Sequence, residues 1–146
     1  MRHHSAACRL VTMLCVLSLG AAAQTNPTVD ALTFLTLKVS SGPLRVERRP
    51  LRLVRGPFKR ASAAQAPRVA GALVIRVSGG FETVVADPLH EDVEFSRAEG
   101  SLEHTQLTHA QREVLVRIPL DLSGHQVTVL QVQADGGLTR LAEFSF

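Results

Sequence analysis

The stretch "EVLVRIPL" alternates apolar and polar side chains with a period of two. Val114, Val116 and Ile118 fall on one face of an extended chain. The charged Glu113 and Arg117 fall on the opposite face. Successive side chains of a strand point to opposite sides, so this pattern predicts a strand with one buried face. Because no long segment shows a sustained helical period, we expect the chain to fold as β-structure.

Other segments indicate strands joined by tight turns. "VAGALVIRVS" is apolar on both faces and meets "FETVVAD" across Gly79-Gly80, which predicts a central strand followed by a hairpin. After "EVLVRIPL", glycine-containing turns separate "QVTVLQVQ" from "LTRLAEFSF", which predicts a C-terminal three-strand meander. Val129 and Leu130 adjoin within this region, and they indicate either a bulge or a strand covered on both faces.

Shorter apolar runs predict further strands at 33–39, 44–46, 51–54 and 93–95. In "LTHAQRE", Thr108 and Gln111 have the spacing of a capping box, which predicts one helical turn. Roughly seven to nine short strands with turns between them favour an all-β fold, specifically a single immunoglobulin-like or related antiparallel β-sandwich. A small outer-membrane β-barrel is the alternative suggested by the terminal "EFSF", but the chain lacks the Trp and Tyr that line barrel interfaces.

The N-terminus has the pattern of a secretory signal peptide. Arg2 and Arg9 precede the apolar stretch "LVTMLCVLSLG", and the small side chains of Ala21-Ala22-Ala23 follow it. The apolar run is shorter than the roughly 20 residues that a spanning helix needs, so we expect no integral membrane segment in the mature chain. We therefore expect removal of residues 1–23, one domain over 24–146, and an extracytoplasmic location in the periplasm or outside the cell. Both cysteines lie in the removed part, which excludes disulfides and thiolate sites from the mature chain.

A cluster of positive charge stands out between residues 45 and 60. In "RVERRPLRLVRGPFKR", seven cationic side chains surround one acidic residue, Glu47. These are Arg45, Arg48, Arg49, Arg52, Arg55, Lys59 and Arg60. Alternation with Leu44, Val46, Leu51 and Leu53 predicts that the cations point outward while these apolar residues are buried.

Two interpretations of this cluster remain open. Cations on an edge strand protect it against edge-to-edge aggregation. Alternatively, six arginines form a docking surface, because guanidinium groups bind carboxylates or phosphates with paired hydrogen bonds. The docking hypothesis makes the protein a non-catalytic interaction module that binds an acidic protein partner or an anionic surface. The acidic stretch 82–113 is an internal competitor, since it could fold against the cations and neutralise them.

No sequence motif for catalysis is present, and we predict no enzymatic activity and no cofactor. The densest polar group is "DPLHEDVEF", whose metal-ligand candidates are His90, Glu91, Asp92 and Glu94. Their spacing fits no known metal loop, so the favoured interpretation is a solvated acidic cluster. A metal-dependent hydrolase using this group is the alternative, and it requires that these side chains converge in a pocket.

The aromatic residues argue against two classes of ligand. Sugar platforms use exposed Trp and Tyr, and neither residue occurs in the chain. Nucleic acid is disfavoured because Phe58 is the only stacking residue within the basic cluster. The remaining phenylalanines in strand patterns are predicted to be core residues, namely Phe34, Phe81, Phe95 and Phe144.

Overall fold

The computed structural model describes residues 28–59 and 66–146, which form an all-β structure of open antiparallel sheets. The predicted signal peptide, residues 1–23, lies outside these residues. The strands are β1 (Thr28–Ser40), β2 (Arg45–Arg48), β3 (Arg52–Lys59), β4 (Leu73–Val77), β5 (Glu82–Val85), β6 (His90–Ser96), β7 (Leu102–Thr108), β8 (Gln111–Ile118), β9 (Gln126–Val132) and β10 (Leu138–Ser145). Within the described ranges there is no helix, and hence none that could cross a membrane.

Strand β1 organises the first sheet. One edge of β1 pairs with β3 and then, further along, with β2. Its other edge pairs with β8 over the whole span from Thr33 to Ser40. All three pairings are antiparallel, so β1 has neighbours on both edges and β2, β3 and β8 form the margins of the sheet.

The second sheet has the order β10-β9-β4-β5. Its strand β4 has a neighbour on each edge and is buried on both faces, since Leu73, Val74 and Ile75 are at most 1% exposed. This confirms the central strand predicted from "VAGALVIRVS". The hairpin prediction is also confirmed, because β4 and β5 pair antiparallel across Gly79-Gly80.

Inward-facing residues of both sheets build one hydrophobic core. The first sheet contributes Leu35, Leu37 and Val39 from β1 together with Val116 and Ile118 from β8. The second sheet contributes residues of β4 and β9, which are Leu73, Ile75, Val77, Val127 and Val129. Thr33 is the buried polar residue among them, and its hydroxyl donates a hydrogen bond of 2.8 Å to the carbonyl oxygen of Leu120.

The predicted C-terminal meander is wrong in its first strand. β9 and β10 form a hairpin in the second sheet, whereas β8 pairs with β1 in the first. Residues 119–125 therefore cross from one sheet to the other. The alternation in β8 correctly predicts which of its faces is buried. An apolar face can, however, be buried equally well in either sheet, so the alternation does not predict which sheet β8 joins.

Strand β9 is covered on both faces, which decides between the two interpretations of Val129 and Leu130. Val129 belongs to the core between the sheets, and Leu130 packs on the opposite face of the second sheet. A bulge is present as well, but it lies in the partner strand: β10 places Leu141 as an extra residue between Arg140 and Ala142.

Strands β6 and β7 form a separate two-stranded hairpin, which we call the arm (His90–Thr108). The chain passes from the arm into β8 through His109 and Ala110 without a helical turn, so the helix predicted at "LTHAQRE" is wrong. Phe95 lies in the arm and is 43% exposed, which contradicts its predicted core position. Phe81 and Phe144 do pack against the core. Phe34, also predicted to be a core residue, is half-buried on the side of the first sheet that faces away from the core, so that prediction is wrong.

Candidate functional site

The side of the first sheet that faces away from the core carries the candidate site. Because Leu35, Leu37 and Val39 point into the core, the alternate residues of β1 point outward. Phe34 lies on this outward side between Arg52 of β3 and Arg117 of β8, its partners in the two ladders. Both arginines are exposed, so a half-buried aromatic ring is flanked by two cations.

A shallow groove of about 360 Å³ opens beside Phe34. Its walls are Phe34, Thr36, Pro50, Arg52 and Leu115. Leu115 is the ladder partner of Thr36 and is 64% exposed, a high value for a leucine in a paired strand. Cationic and apolar groups thus lie together around Phe34, while further along the same side Lys38 has Glu47 and Glu113 as its ladder partners. We call this outward surface the outer face, and its residues that matter below are Phe34, Thr36, Arg45, Pro50, Arg52, Leu115 and Arg117.

Among the seven cations predicted from the sequence, Arg45, Arg52 and Lys59 are exposed and make no ion pair with any described residue. Arg45 is the ladder partner of Ser40, whose side chain points outward, so Arg45 belongs to the outer face with Arg52. Lys59 lies at the far end of β3, opposite Thr28. Arg60 lies outside the described residues.

The other three cations of the cluster are engaged within the fold. Arg48 is the ladder partner of the buried Leu37, so it leaves the sheet on the core side. Its guanidinium lies 4.7 Å from the ring centre of Phe146 and donates to the Ser145 carbonyl at 3.3 Å. This contact joins the edge of the first sheet to β10 of the second.

Arg49 and Arg55 are each held by a carboxylate. The Arg49 Nε donates to Glu113 at 3.3 Å, and the Arg55 Nη2 donates to Asp121 at 3.0 Å. Of the acidic stretch 82–113, Glu113 alone forms an ion pair with the cluster among the described residues. The acidic stretch 82–113 therefore neutralises only part of the cluster. Arg45 and Arg52 have no ion-pair partner within the part of the chain that is described.

Sequence reasoning missed Arg117 and misplaced Leu51. The alternation in "EVLVRIPL" already put Arg117 on the exposed face, but only the pairing of β8 with β1 brings it beside Phe34. Leu51 was expected to be buried and is 38% exposed. Leu51 lies between β2 and β3 and is not paired with β1, so strand pairing does not direct its side chain toward the core.

The candidate metal ligands of the arm do not converge. His90, Asp92 and Glu94 project from one face of β6, and Glu91 projects from the other. Each has its own partner: Asp87 for His90 at 2.9 Å, Gln106 for Asp92 at 3.4 Å, and His104 for Glu94 at 3.4 Å. Across residues 28–59 and 66–146, no group of three or more His, Cys, Asp or Glu is arranged to hold a metal ion.

Glu91 instead fastens the base of the arm to β8. Its carboxylate accepts hydrogen bonds from Arg112 at 2.5 Å and from His109 at 3.2 Å. The hydrogen bond from Arg112, followed by that from His109, holds the pKa of Glu91 below its usual value. An open groove of about 480 Å³ beside this contact is lined by charged residues, among them His90, Asp92 and Arg112.

A serine and a histidine also meet at the end of the second sheet. Ser78 Oγ lies 3.2 Å from His125 Nδ1, and the same oxygen accepts a hydrogen bond from the Gln126 amide at 3.0 Å. In the triad arrangement of nucleophilic catalysis, a third group orients the base. No carboxylate among the described residues forms a hydrogen bond with His125, so the third member of a triad is missing from this part of the chain, and the contact joins two turns.

Comparison with known proteins assigns no identity to this geometry. The chain matches no protein-family model, no curated protein and no solved structure. Its function is therefore argued from the charge, exposure and shape of its own surfaces.

Proposed function

We propose that this chain is an exported, non-catalytic interaction module that binds an acidic protein partner through the outer face. We further propose that its two principal sheets form an immunoglobulin-like or related β-sandwich, which the single core shared by both sheets supports. Export and an extracytoplasmic location are part of the proposal and rest on the residue pattern of positions 1–23.

The observation that carries the proposal is the environment of Phe34. Arg52 and Arg117 flank the ring from opposite strands, and neither forms an ion pair with another described residue. Each guanidinium therefore keeps its full set of donors for a carboxylate of a partner. Interfaces are enriched in arginine and aromatic residues, which form the contacts that contribute most to binding.

The apolar part of the outer face favours a protein over a simple polyanion. Leu115, Pro50 and Phe34 border the same groove as Arg52. A phosphate or sulfate polymer gains nothing from burying Leu115, whereas a protein with apolar and acidic side chains gains from both. A partner with carboxylates around an apolar centre is thus the best match in chemistry.

Retention on a polyglutamate resin tests the charge requirement. The wild-type protein should bind at low salt, and Arg52→Gln with Arg117→Gln should elute at markedly lower salt. The matched control is Arg76→Gln with Arg140→Gln, which removes the same charge from the second sheet, where both arginines are about half exposed or more. The control should elute close to the wild type, because exposed attractions act over only about 10 Å at 0.1 M salt.

Three results would oppose the proposal. If the wild type does not bind the resin at low salt, the cations serve only to protect a strand at the margin of the sheet against aggregation. Equal losses in both double variants would show that net charge, and not the outer face, causes retention. Retention on heparin without retention on polyglutamate would assign the face to an anionic surface instead of an acidic protein.

The metal-dependent hydrolase remains the rival hypothesis. The groove beside Glu91 does contain His90 and Asp92, as that hypothesis requires. Its carboxylates, however, are bonded to different partners and lie on opposite faces of β6. The geometry therefore favours the interaction module.

A further inference from the structure

The free edge of β8 is a long and regular strand edge. β8 is hydrogen-bonded to β1 along one edge, and no described strand is paired with its other edge. Its ladder with β1 extends from Gln111 to Ile118 without a register shift, and no proline interrupts it. The backbone N–H and C=O groups of such an edge are a template for pairing with another chain. The edge of β8 can therefore accept a further strand.

The other margins of the two principal sheets have features that oppose strand addition. β2 and β5 are only four residues long. β3 contains Pro57, which has no backbone N–H, and a bulge at Leu141 interrupts β10. β8 has neither a proline nor a bulge, and Leu115 at its centre is 64% exposed. The edge of β8 is therefore the margin best suited to pairing with another chain.

The outward side chains of β8 are self-complementary in one register of pairing. Glu113 and Arg117 lie two residues before and two residues after Leu115, on the same outward side of the strand. When two copies of β8 pair antiparallel with Leu115 opposite Leu115, Glu113 of each copy lies opposite Arg117 of the other. Opposite charges that face each other across a ladder stabilise the pairing, and like charges destabilise it.

Other registers lose this match. A shift of two residues places Leu115 opposite a charged residue and breaks both charge pairs, and a shift of one residue puts outward side chains opposite inward ones. In the matched register, Val114 of each copy also lies opposite Val116 of the other. Pro119, which has no backbone N–H, ends the ladder just beyond Ile118. The sequence of β8 thus favours a single antiparallel register.

The edge of β8 is accessible to a second copy. Neither strand of the arm is hydrogen-bonded to β8, and an open groove of about 480 Å³ beside the first half of β8 has Glu113 and Val114 in its lining. Arg49 engages the Oε1 atom of Glu113 at 3.3 Å, but the Glu113 side chain is 60% exposed. A carboxylate has two acceptor oxygens, so Glu113 can accept hydrogen bonds from a second arginine as well.

We propose that two copies of this chain pair through their β8 edges and form a symmetric dimer, an interaction separate from the binding of an acidic partner. The same edge is used by both copies, and it joins two four-stranded first sheets into one continuous sheet. Both outer faces then lie on the same side of that sheet. Arg117 can serve both contacts, because its guanidinium has five N–H donors and a bidentate bond to Glu113 of the second copy uses two of them.

Charge reversal followed by mixing tests the pairing. Sedimentation should show a dimer of the wild type, weakened at least about tenfold in Glu113→Arg and in Arg117→Glu, because each variant alone places like charges opposite each other at both charge pairs. A mixture of the two variants should form one-to-one heterodimers, since every charge then faces its opposite. Restored association also shows that both variants are folded. Lys59→Glu makes the same change of charge on β3 and should associate like the wild type.

Disulfide crosslinking tests the register. In a chain whose Cys8 and Cys15 are replaced by alanine, Leu115→Cys introduces the only thiol. In the matched register the two thiols of a dimer face each other, with Cβ atoms about 4.5–5.5 Å apart, so mild oxidation should give a covalent dimer. Glu113→Cys is the matched control on the same side of the same strand. Its two thiols would lie about 13 Å apart along the strand, too far for a disulfide.

The outcomes separate the dimer from the proposed function. A wild type that stays monomeric throughout a dilution series would overturn the dimer, even if it binds polyglutamate. Charge variants that form no complex on mixing, or crosslinking of Glu113→Cys as fast as that of Leu115→Cys, would also overturn it. Glu113→Arg should lose self-association and still bind polyglutamate. A wild type that forms the crosslinked dimer but does not bind polyglutamate would overturn the proposed function alone.

Discussion

Two regions of the molecule share the same alternating sequence pattern: the body, which is formed by the two principal sheets, and the arm. The pattern has a different structural result in each region. In the body, Leu35, Leu37 and Ile118 alternate with outward residues and are completely buried. In the arm, Val93 and Phe95 alternate with acidic residues in the same way, yet Phe95 stays 43% exposed. Alternation specifies which face of a strand is apolar, and only a second layer determines whether that face is buried.

The largest expected contrast is between matched substitutions in the two regions. Ile75→Ala should lower the free energy of unfolding by about 2–5 kcal/mol, because it leaves a cavity in a close-packed core. Phe95→Ala removes a larger side chain from an exposed position and should change stability by no more than about 0.5 kcal/mol. Urea denaturation of both variants measures the difference. A Phe95→Ala loss as large as that of Ile75→Ala would mean that the arm is part of the cooperative core.

A smaller effect is expected at Thr33, whose hydroxyl donates a hydrogen bond to the Leu120 carbonyl in the segment that crosses from the first sheet to the second. Thr33→Val keeps the shape of the side chain but leaves the Leu120 carbonyl without its donor. Loss of a buried partner costs about 1–3 kcal/mol, so denaturation should show a decrease in that range. Thr105→Val in the arm is the matched control, because this threonine is exposed and should have little effect.

The smallest effect concerns the base of the arm and depends on pH. The contacts with Arg112 and His109 lower the pKa of Glu91 in the folded state, so they stabilise the fold above the unfolded pKa. That stabilisation is lost as the pH falls through the lowered folded pKa. Glu91→Gln should therefore melt below the wild type at neutral pH and converge with it in acid. Thermal melting from pH 7 to pH 3 measures this, and a gap that widens in acid would contradict the assignment.

The candidate site shows which of its features local sequence pattern can predict and which it cannot. The alternation around Arg45 and Arg52 correctly predicted that both are exposed, because the apolar phase of a strand defines its polar phase. It did not separate these two from Arg48, Arg49 and Arg55, which contact residues distant in the chain. Residues that meet across such distances have no common period, so their pairing is not encoded in any local stretch.

The sequence by itself determined that the chain is β-rich, that β4 is central and that β4 and β5 form a hairpin. Each of these follows from side-chain period or from glycine at a turn, which are local properties. Only the tertiary structure decided that β8 leaves its sequence neighbours to pair with β1, and that the arm stands apart from both principal sheets. Strand partners are chosen by long-range hydrogen bonding and core packing, and a strand with one apolar face is compatible with many partners.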